Sequence, residues 1–133
     1  MKTHQYELID EKVFEHEFDN GLKLFVIPKP GFQKTYVTYT TQFGSLDNHF
    51  KPIGSQQFVK VPDGVAHFLE HKLFEKEDED LFTAFAEENA QANAFTSFDR
   101  TSYLFSATSN IESNIKRLLN MVETPYLDRK SVV

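Results

Sequence analysis

The sequence predicts an α+β fold, an antiparallel-rich mixed sheet with helices packed on one face. In the first forty residues, turn signals separate stretches rich in Val, Thr, Tyr and Phe, which is typical of strands joined by hairpins. Apolar residues then recur at helical spacing in three later stretches. With 133 residues, of which 40% are hydrophobic, the chain can bury roughly two-thirds of its unfolded surface in a real core. This order of strands and helices favours a layered α+β domain.

Hairpin and chain-breaking residues delimit the first strands. Asn20 and Gly21 tolerate positive φ and favour a tight turn. Pro28 and Pro30 interrupt the extended chain that follows. The predicted strands are residues 13–18, 22–27 and 34–43, with a short strand near residues 57–60 inside a loop of residues 44–63.

Capping residues and apolar spacing predict two helices after this loop. Asp63 is the expected N-cap of a helix over residues 64–74, because its carboxylate can accept a hydrogen bond from a free backbone N–H. Asp78 is the expected start of a second helix, and Asn89 can end it in the left-handed conformation.

A second hairpin and a third helix complete the predicted fold. Residues 93–98 and 101–107 are predicted strands joined by a short turn. Ser109 and Glu112 have the spacing of a capping box, which opens a helix that Pro125 ends. The 14 phenylalanines are expected to fill the core.

Composition excludes several classes of partner and site. Lys and Arg total 14 against 20 Asp and Glu, a net charge of −6, so no nucleic-acid partner is expected. The absence of cysteine excludes disulfides and thiolate chemistry, and any metal must use His, Asp or Glu. No apolar stretch is long enough for a signal peptide or a membrane span, so we expect a cytoplasmic location and no membrane partner.

One segment of the first predicted helix carries the chemistry. His67 and His71 are four residues apart, which puts both imidazoles on one helix face, close enough to ligate one cation. Glu70 flanks that face, and its carboxylate could touch a metal-bound water. This is the His-x-x-Glu-His inverzincin pattern, which chance would produce about 0.02 times in a chain of this composition. The alternative is an ordinary solvated helix face; His4, His16 and His49 are expected to be surface or strand histidines.

The motif and its surroundings resemble the pitrilysin family of insulinase-like zinc metallopeptidases, which includes insulysin and the processing peptidases. The resemblance covers about residues 18–126. It extends to the first hairpin, a turn at the end of a strand, the helix of the motif and an Asn-Ala-x-Thr strand with its partner. The matching segments are residues 20–24, 43–47, 66–74, 93–96 and 101–103.

The resemblance implies a zinc site and a reaction. His67 and His71 would be zinc ligands, and Glu70 the general base of an endopeptidase that acts on peptides or short unfolded segments. The family's third ligand is a glutamate about 75 residues after the second histidine, which would lie beyond Val133. Residues 1–133 are therefore expected to be the N-terminal part of one peptidase domain, inactive alone, with the rest of that domain and a second domain absent.

The resemblance also implies a substrate site and partners. An extended peptide would add to the edge strand at Asn93, Ala94, Phe95 and Thr96, although the alternative is an ordinary strand with Phe95 in the core. The partners implied are the peptide substrate and either a second peptidase-like subunit or a homodimer. Two alternatives to an enzyme stay open: a non-catalytic peptidase-like subunit that pairs with a second such chain, and a binding module whose histidine pair is incidental.

Overall fold

The computed structural model describes residues 1–127. The chain divides into two compact units, with the boundary after Gln33. The elements, in chain order, are β1 (Lys2–Tyr6), β2 (Glu11–Glu17), β3 (Lys23–Val26), β4 (Thr35–Thr41), β5 (His49–Phe50), β6 (Val59–Lys60), α1 (Val65–Leu73), α2 (Leu81–Glu87), β7 (Ala90–Thr96), β8 (Thr101–Ala107) and α3 (Ile111–Glu123).

The first unit is a three-stranded antiparallel sheet in the order β1-β2-β3. The predicted turn forms at Gly21, which has a φ of +86°, and the Asn20 side chain accepts a hydrogen bond from Leu22 N–H at 3.0 Å. The strands predicted around this turn are confirmed as β2 and β3. The sequence reading missed β1 because its five residues are all exposed and show no apolar alternation.

The second unit contains a three-stranded antiparallel sheet in the order β4-β8-β7. Tyr103 on β8 lies between Ala94 on β7 and Tyr39 on β4. The strands predicted at 34–43, 93–98 and 101–107 are confirmed, although β7 begins earlier, at Ala90. The short strand near residue 57 is found as β6, which pairs with β5.

The helices cover one face of this sheet and enclose the core. Phe85 of α2, Phe105 of β8, and Leu118 and Met121 of α3 are almost completely buried. Alternate residues of β4, β7 and β8 supply the sheet side of the same cluster. All described strand pairings are antiparallel, and the α+β class with helices on one face is confirmed.

The expectation that the phenylalanines fill the core is wrong for most of them. Only Phe74, Phe85 and Phe105 are buried among the described residues, whereas eight others are between 42% and 75% exposed. The helices form a single layer on one sheet, so the core has room for few large side chains.

The predicted helix starts also require correction. At α1 the N-cap is Gly64 with a φ of +86°, and Asp63 instead accepts a hydrogen bond from the Asn48 side chain at 2.8 Å. Asp80, not Asp78, caps α2 by accepting from Phe82 N–H.

The predicted capping box at Ser109 and Glu112 does not form. The N-cap of α3 is Asn110 in the left-handed region, with no hydrogen bond from its side chain to the helix N–H groups. An N-cap residue normally has a β-region backbone, which directs its side chain towards the free N–H groups of the first turn. The left-handed backbone of Asn110 directs its side chain away from them. The predicted end of α3 before Pro125 and the left-handed Asn89 after α2 are both confirmed.

Candidate metal centre

Helix α1 brings His67 and His71 together on one exposed face. Their Nε2 atoms lie 3.0 Å apart and their ring centroids 4.8 Å apart. At that distance one Nε2–H donates a hydrogen bond to the Nε2 lone pair of the other ring. The helix is held against the sheet by buried Ala66, so the histidines point away from the core.

Glu70 completes a cluster of three potential metal ligands. One ligand atom from each of Glu70, His67 and His71 lies within 4.8 Å of the others. Within residues 1–127, no other His, Asp or Glu residues form such a group. Glu70 is partly buried, and its Oε2 accepts a hydrogen bond from the Thr96 hydroxyl at 2.5 Å.

The histidine pair fits a zinc ion. Two nitrogen ligands at 2.0 to 2.1 Å from a tetrahedral zinc would lie about 3.3 Å apart. The observed separation of 3.0 Å between the two Nε2 atoms needs only a small rotation of the rings to reach that value. Exposure of both rings leaves room for further ligands.

Tyr103 is near enough to Glu70 to be affected by its charge, and the sequence did not identify it as part of the site. Burial, and then the negative charge of Glu70, raise the pKa of Tyr103 to about 12. Its side chain is only 4% exposed, so the phenol stays neutral close to the carboxylate. The sequence feature that could have indicated its role is its position in the second predicted hairpin, where Tyr103 pairs with Ala94.

The predicted substrate strand is β7, which lies at the edge of its sheet. Ala94 and Thr96 face the helices, while Asn93 and Phe95 are exposed on the other side of the strand. The alternative, an ordinary strand with Phe95 in the core, is wrong for Phe95, since this residue is 49% exposed. Asn93 Oδ1 accepts a hydrogen bond from Ala94 N–H at 2.8 Å, so that amide is already partnered within the strand.

The turn after β7 is held by the strand-end segment of residues 43–47, which the sequence identified without revealing this contact. Ser45 N–H donates to Ser97 O at 2.9 Å and Leu46 N–H to Phe98 O at 3.0 Å. A Cβ on Gly44 would lie 2.5 Å from the backbone N of Arg100, so only glycine allows this approach.

The remaining histidines take no part in the cluster, as predicted. His4 pairs with Glu15 at 2.8 Å, His16 packs edge-on against Phe18, and the His49 ring lies beside Phe58.

In the described part of the chain, no helix has both the length and the apolar character to cross a membrane.

A His-x-x-Glu-His helix packed beside an edge strand is an arrangement typical of metallopeptidase domains. In agreement, the model of the insulinase family (Peptidase family M16) matches residues 52–133. The chain belongs to this family, which confirms the resemblance seen in the sequence.

Named relatives agree with this assignment. The chain is 52% identical over 132 residues to zinc protease YmfH of Bacillus subtilis, covering 99% of this chain and 31% of that protein. An M16-like peptidase from Alicyclobacillus acidocaldarius superposes with a TM-score of 0.84 at 38% identity, over 92% of this chain and 28% of that one.

Pitrilysin shares the fold, with a TM-score of 0.73 at 20% identity, over 96% of this chain and 13% of its own. The chain thus spans less than a third of the length of each of these proteins.

Proposed function

We propose that this chain supplies the zinc-binding helix and general base of a zinc-dependent endopeptidase acting on peptides or short unfolded segments. The observation that carries the proposal is the cluster of His67, Glu70 and His71. Membership of a peptidase family and relatives named as zinc proteases support it.

His67 and His71 would hold the zinc ion through their Nε2 atoms. When bound, zinc polarises a peptide carbonyl and lowers the pKa of a bound water towards neutrality. A catalytic zinc site has three protein ligands, and the third would be a glutamate beyond Val133. Accordingly, we propose that residues 1–133 are the N-terminal part of one longer peptidase domain. We further propose that this domain pairs with a second domain, with a second peptidase-like subunit or with a second copy of the protein.

Glu70 would act as the general base. Its Oε2 is held by Thr96, and its other carboxylate oxygen, Oε1, can take a proton from the attacking water. The same carboxyl group can then pass the proton to the leaving amine. The same hydrogen bond from Thr96 holds the partly buried carboxylate within 4.8 Å of the ligand atoms of His67 and His71.

The substrate would bind as an added strand along β7. An edge strand offers main-chain groups to an extended peptide, and Asn93, Ala94, Phe95 and Thr96 are the residues we propose for this contact. Exposed Phe95 could cover an apolar side chain of the peptide. The Asn93 carboxamide would have to release Ala94 N–H if the peptide is to use that donor.

A non-catalytic subunit that pairs with a second peptidase-like chain is the alternative. All three motif residues are present and clustered, which favours the enzyme. Peptide cleavage by the full-length zinc-loaded protein should fall by at least about a hundredfold in Glu70→Gln. Equal turnover of wild type and variant would remove Glu70 from the mechanism.

Zinc titration of this chain tests the ligand set separately. With two imidazoles, we expect a dissociation constant above about 1 µM and no peptidase activity. His67→Ala should weaken binding further, whereas His49→Ala is the matched control because that ring packs beside Phe58. Tight one-to-one binding that His67→Ala abolishes would show that this chain already provides every ligand.

Metal content of the full-length protein tests the third possibility, an incidental histidine pair. About one zinc per chain is expected. A zinc content of zero after metal supplementation would support the binding module.

A cytoplasmic location, which we also propose, is supported by the lack of cysteine.

A further inference from the structure

We propose that Thr96 is the positioning residue of Glu70, a role that rests on the proposed function of Glu70 as general base. The Thr96 hydroxyl donates to Glu70 Oε2 at 2.5 Å across 26 residues of sequence. Thr96 thereby acts through its side chain on the base, while its main chain stays available to the substrate strand.

A glutamate side chain has three rotatable bonds, and on an exposed helix face it samples many orientations. The hydrogen bond from Thr96 selects one of them, in which one carboxylate oxygen is occupied and the other is free to accept a proton. Both partners are partly buried, so water competes less for this bond than at the surface. Threonine suits the role because its branched Cβ restricts χ1 on a strand.

The position of Thr96 is itself held from two sides. Thr96 pairs with Thr101 across β7 and β8, and the Thr101 hydroxyl donates to Phe43 O at 2.7 Å. The segment after Phe43 is bonded to the turn that follows Thr96, and Gly44 permits that contact. A threonine anchored in this way can place the carboxylate more accurately than a loop residue could.

Steady-state kinetics of the full-length zinc-loaded protein separate this role from a substrate contact. Thr96→Val keeps the shape of the side chain and removes the hydroxyl, and should lower kcat about tenfold while KM stays within about twofold. Thr96→Ser keeps the hydroxyl and should retain most of the wild-type kcat. The matched control is Thr40→Val, which removes a hydroxyl bonded to Ser102 on the same sheet and should leave kcat unchanged.

A second readout needs no activity. In this chain without metal, the losses in melting temperature for Thr96→Val and Glu70→Ala should sum to more than the loss in the double variant, because both remove the same bond. Additive losses would contradict the inference. So would a Thr96→Val protein with a raised KM and normal kcat, which would make the hydroxyl a substrate contact.

Peptide cleavage by wild type, Glu70→Gln and Thr96→Val together distinguishes a failure of this inference from a failure of the function on which it rests. If wild type cleaves peptides and Glu70→Gln does not, but Thr96→Val cleaves like wild type, the positioning role fails alone. If Glu70→Gln retains full turnover, the general base and the role of Thr96 fail together.

Discussion

Gly44 and Arg100 approach so closely that a single added carbon atom on Gly44 would lie 2.5 Å from the backbone nitrogen of Arg100. The same atom would be equally close to the backbone of Phe98 and Asp99. These are main-chain atoms, which cannot move aside as the end of a flexible side chain can. The segment after β4 and the turn after β7 are therefore joined by a contact that depends on glycine.

Replacement of Gly44 by alanine should lower the free energy of unfolding by about 2 to 3 kcal/mol, because the turn must shift to admit the methyl group. Chemical denaturation of this chain measures the loss. Gly54→Ala is the comparison: Gly54 has a positive φ, which strains any other residue, but its Cβ would meet nothing within 4 Å, so the loss should be only about 1 kcal/mol. Equal losses at the two positions would show that the Gly44 contact is not tight.

Removal of the Phe105 ring should be among the most damaging core changes. Phe105 is completely buried, and its ring centroid lies 5.8 Å from that of Phe85. Phe105→Ala should cost about 3 to 5 kcal/mol of unfolding free energy, since it removes apolar contacts and leaves a cavity. Phe98→Ala, at a position 70% exposed, should change stability by less than about 0.5 kcal/mol. Similar losses for both would mean that Phe98 is covered in solution.

The second unit should lose stability at alkaline pH through Tyr103. Its folded pKa of about 12 lies above the ordinary value of 10.0, so the folded chain keeps a proton that the unfolded chain has released. The contribution of protonated Tyr103 to the free energy of unfolding is therefore complete below pH 10 and is lost as pH rises from 10 to about 12. Melting temperatures of wild type and Tyr103→Phe between pH 8 and pH 11 test this. The variant should show the shallower decline, and parallel curves would argue against the raised pKa.

Acid should weaken the link between α2 and α3 through Glu88. Its carboxylate accepts from the Ser113 hydroxyl and from Arg117 at 3.2 Å, and these partners lower the pKa of Glu88 below its ordinary value. The stabilisation is present above the pKa of an unfolded glutamate and is lost as pH falls through the lower folded value. Glu88→Gln should melt below wild type at pH 7 and approach it in acid. Glu123→Gln at the far end of α3 is the control and should track wild type at each pH.

The features that could be predicted from the sequence depend on local patterns. The Asn20 and Gly21 turn, strand β8 and the helix that carries His67 follow from turn chemistry, strand propensity and helical spacing. The spacing of the two histidines placed both rings on one helix face about one turn apart, because an α-helix has one geometry.

Features that depend on long-range contacts could not be predicted in the same way. The bond from Thr96 to Glu70 joins two segments whose approach depends on how α1 packs on β7. The cap of α1 was wrongly predicted because Asp63 accepts a hydrogen bond from the Asn48 side chain instead, and a sequence pattern does not reveal such competition. The number of buried phenylalanines depended on how many layers cover each sheet.

The hydrogen bond between His67 and His71 makes two chemically identical rings different from each other. For two neutral rings the bond requires the proton of one ring on Nε2 and the proton of the other on Nδ1, because only that combination gives a donor and an acceptor. A cation held by both Nε2 atoms needs both protons on Nδ1. Metal loading would thus exchange one tautomer and restore the symmetry of the pair, a change that the nitrogen resonances of the two rings would report directly.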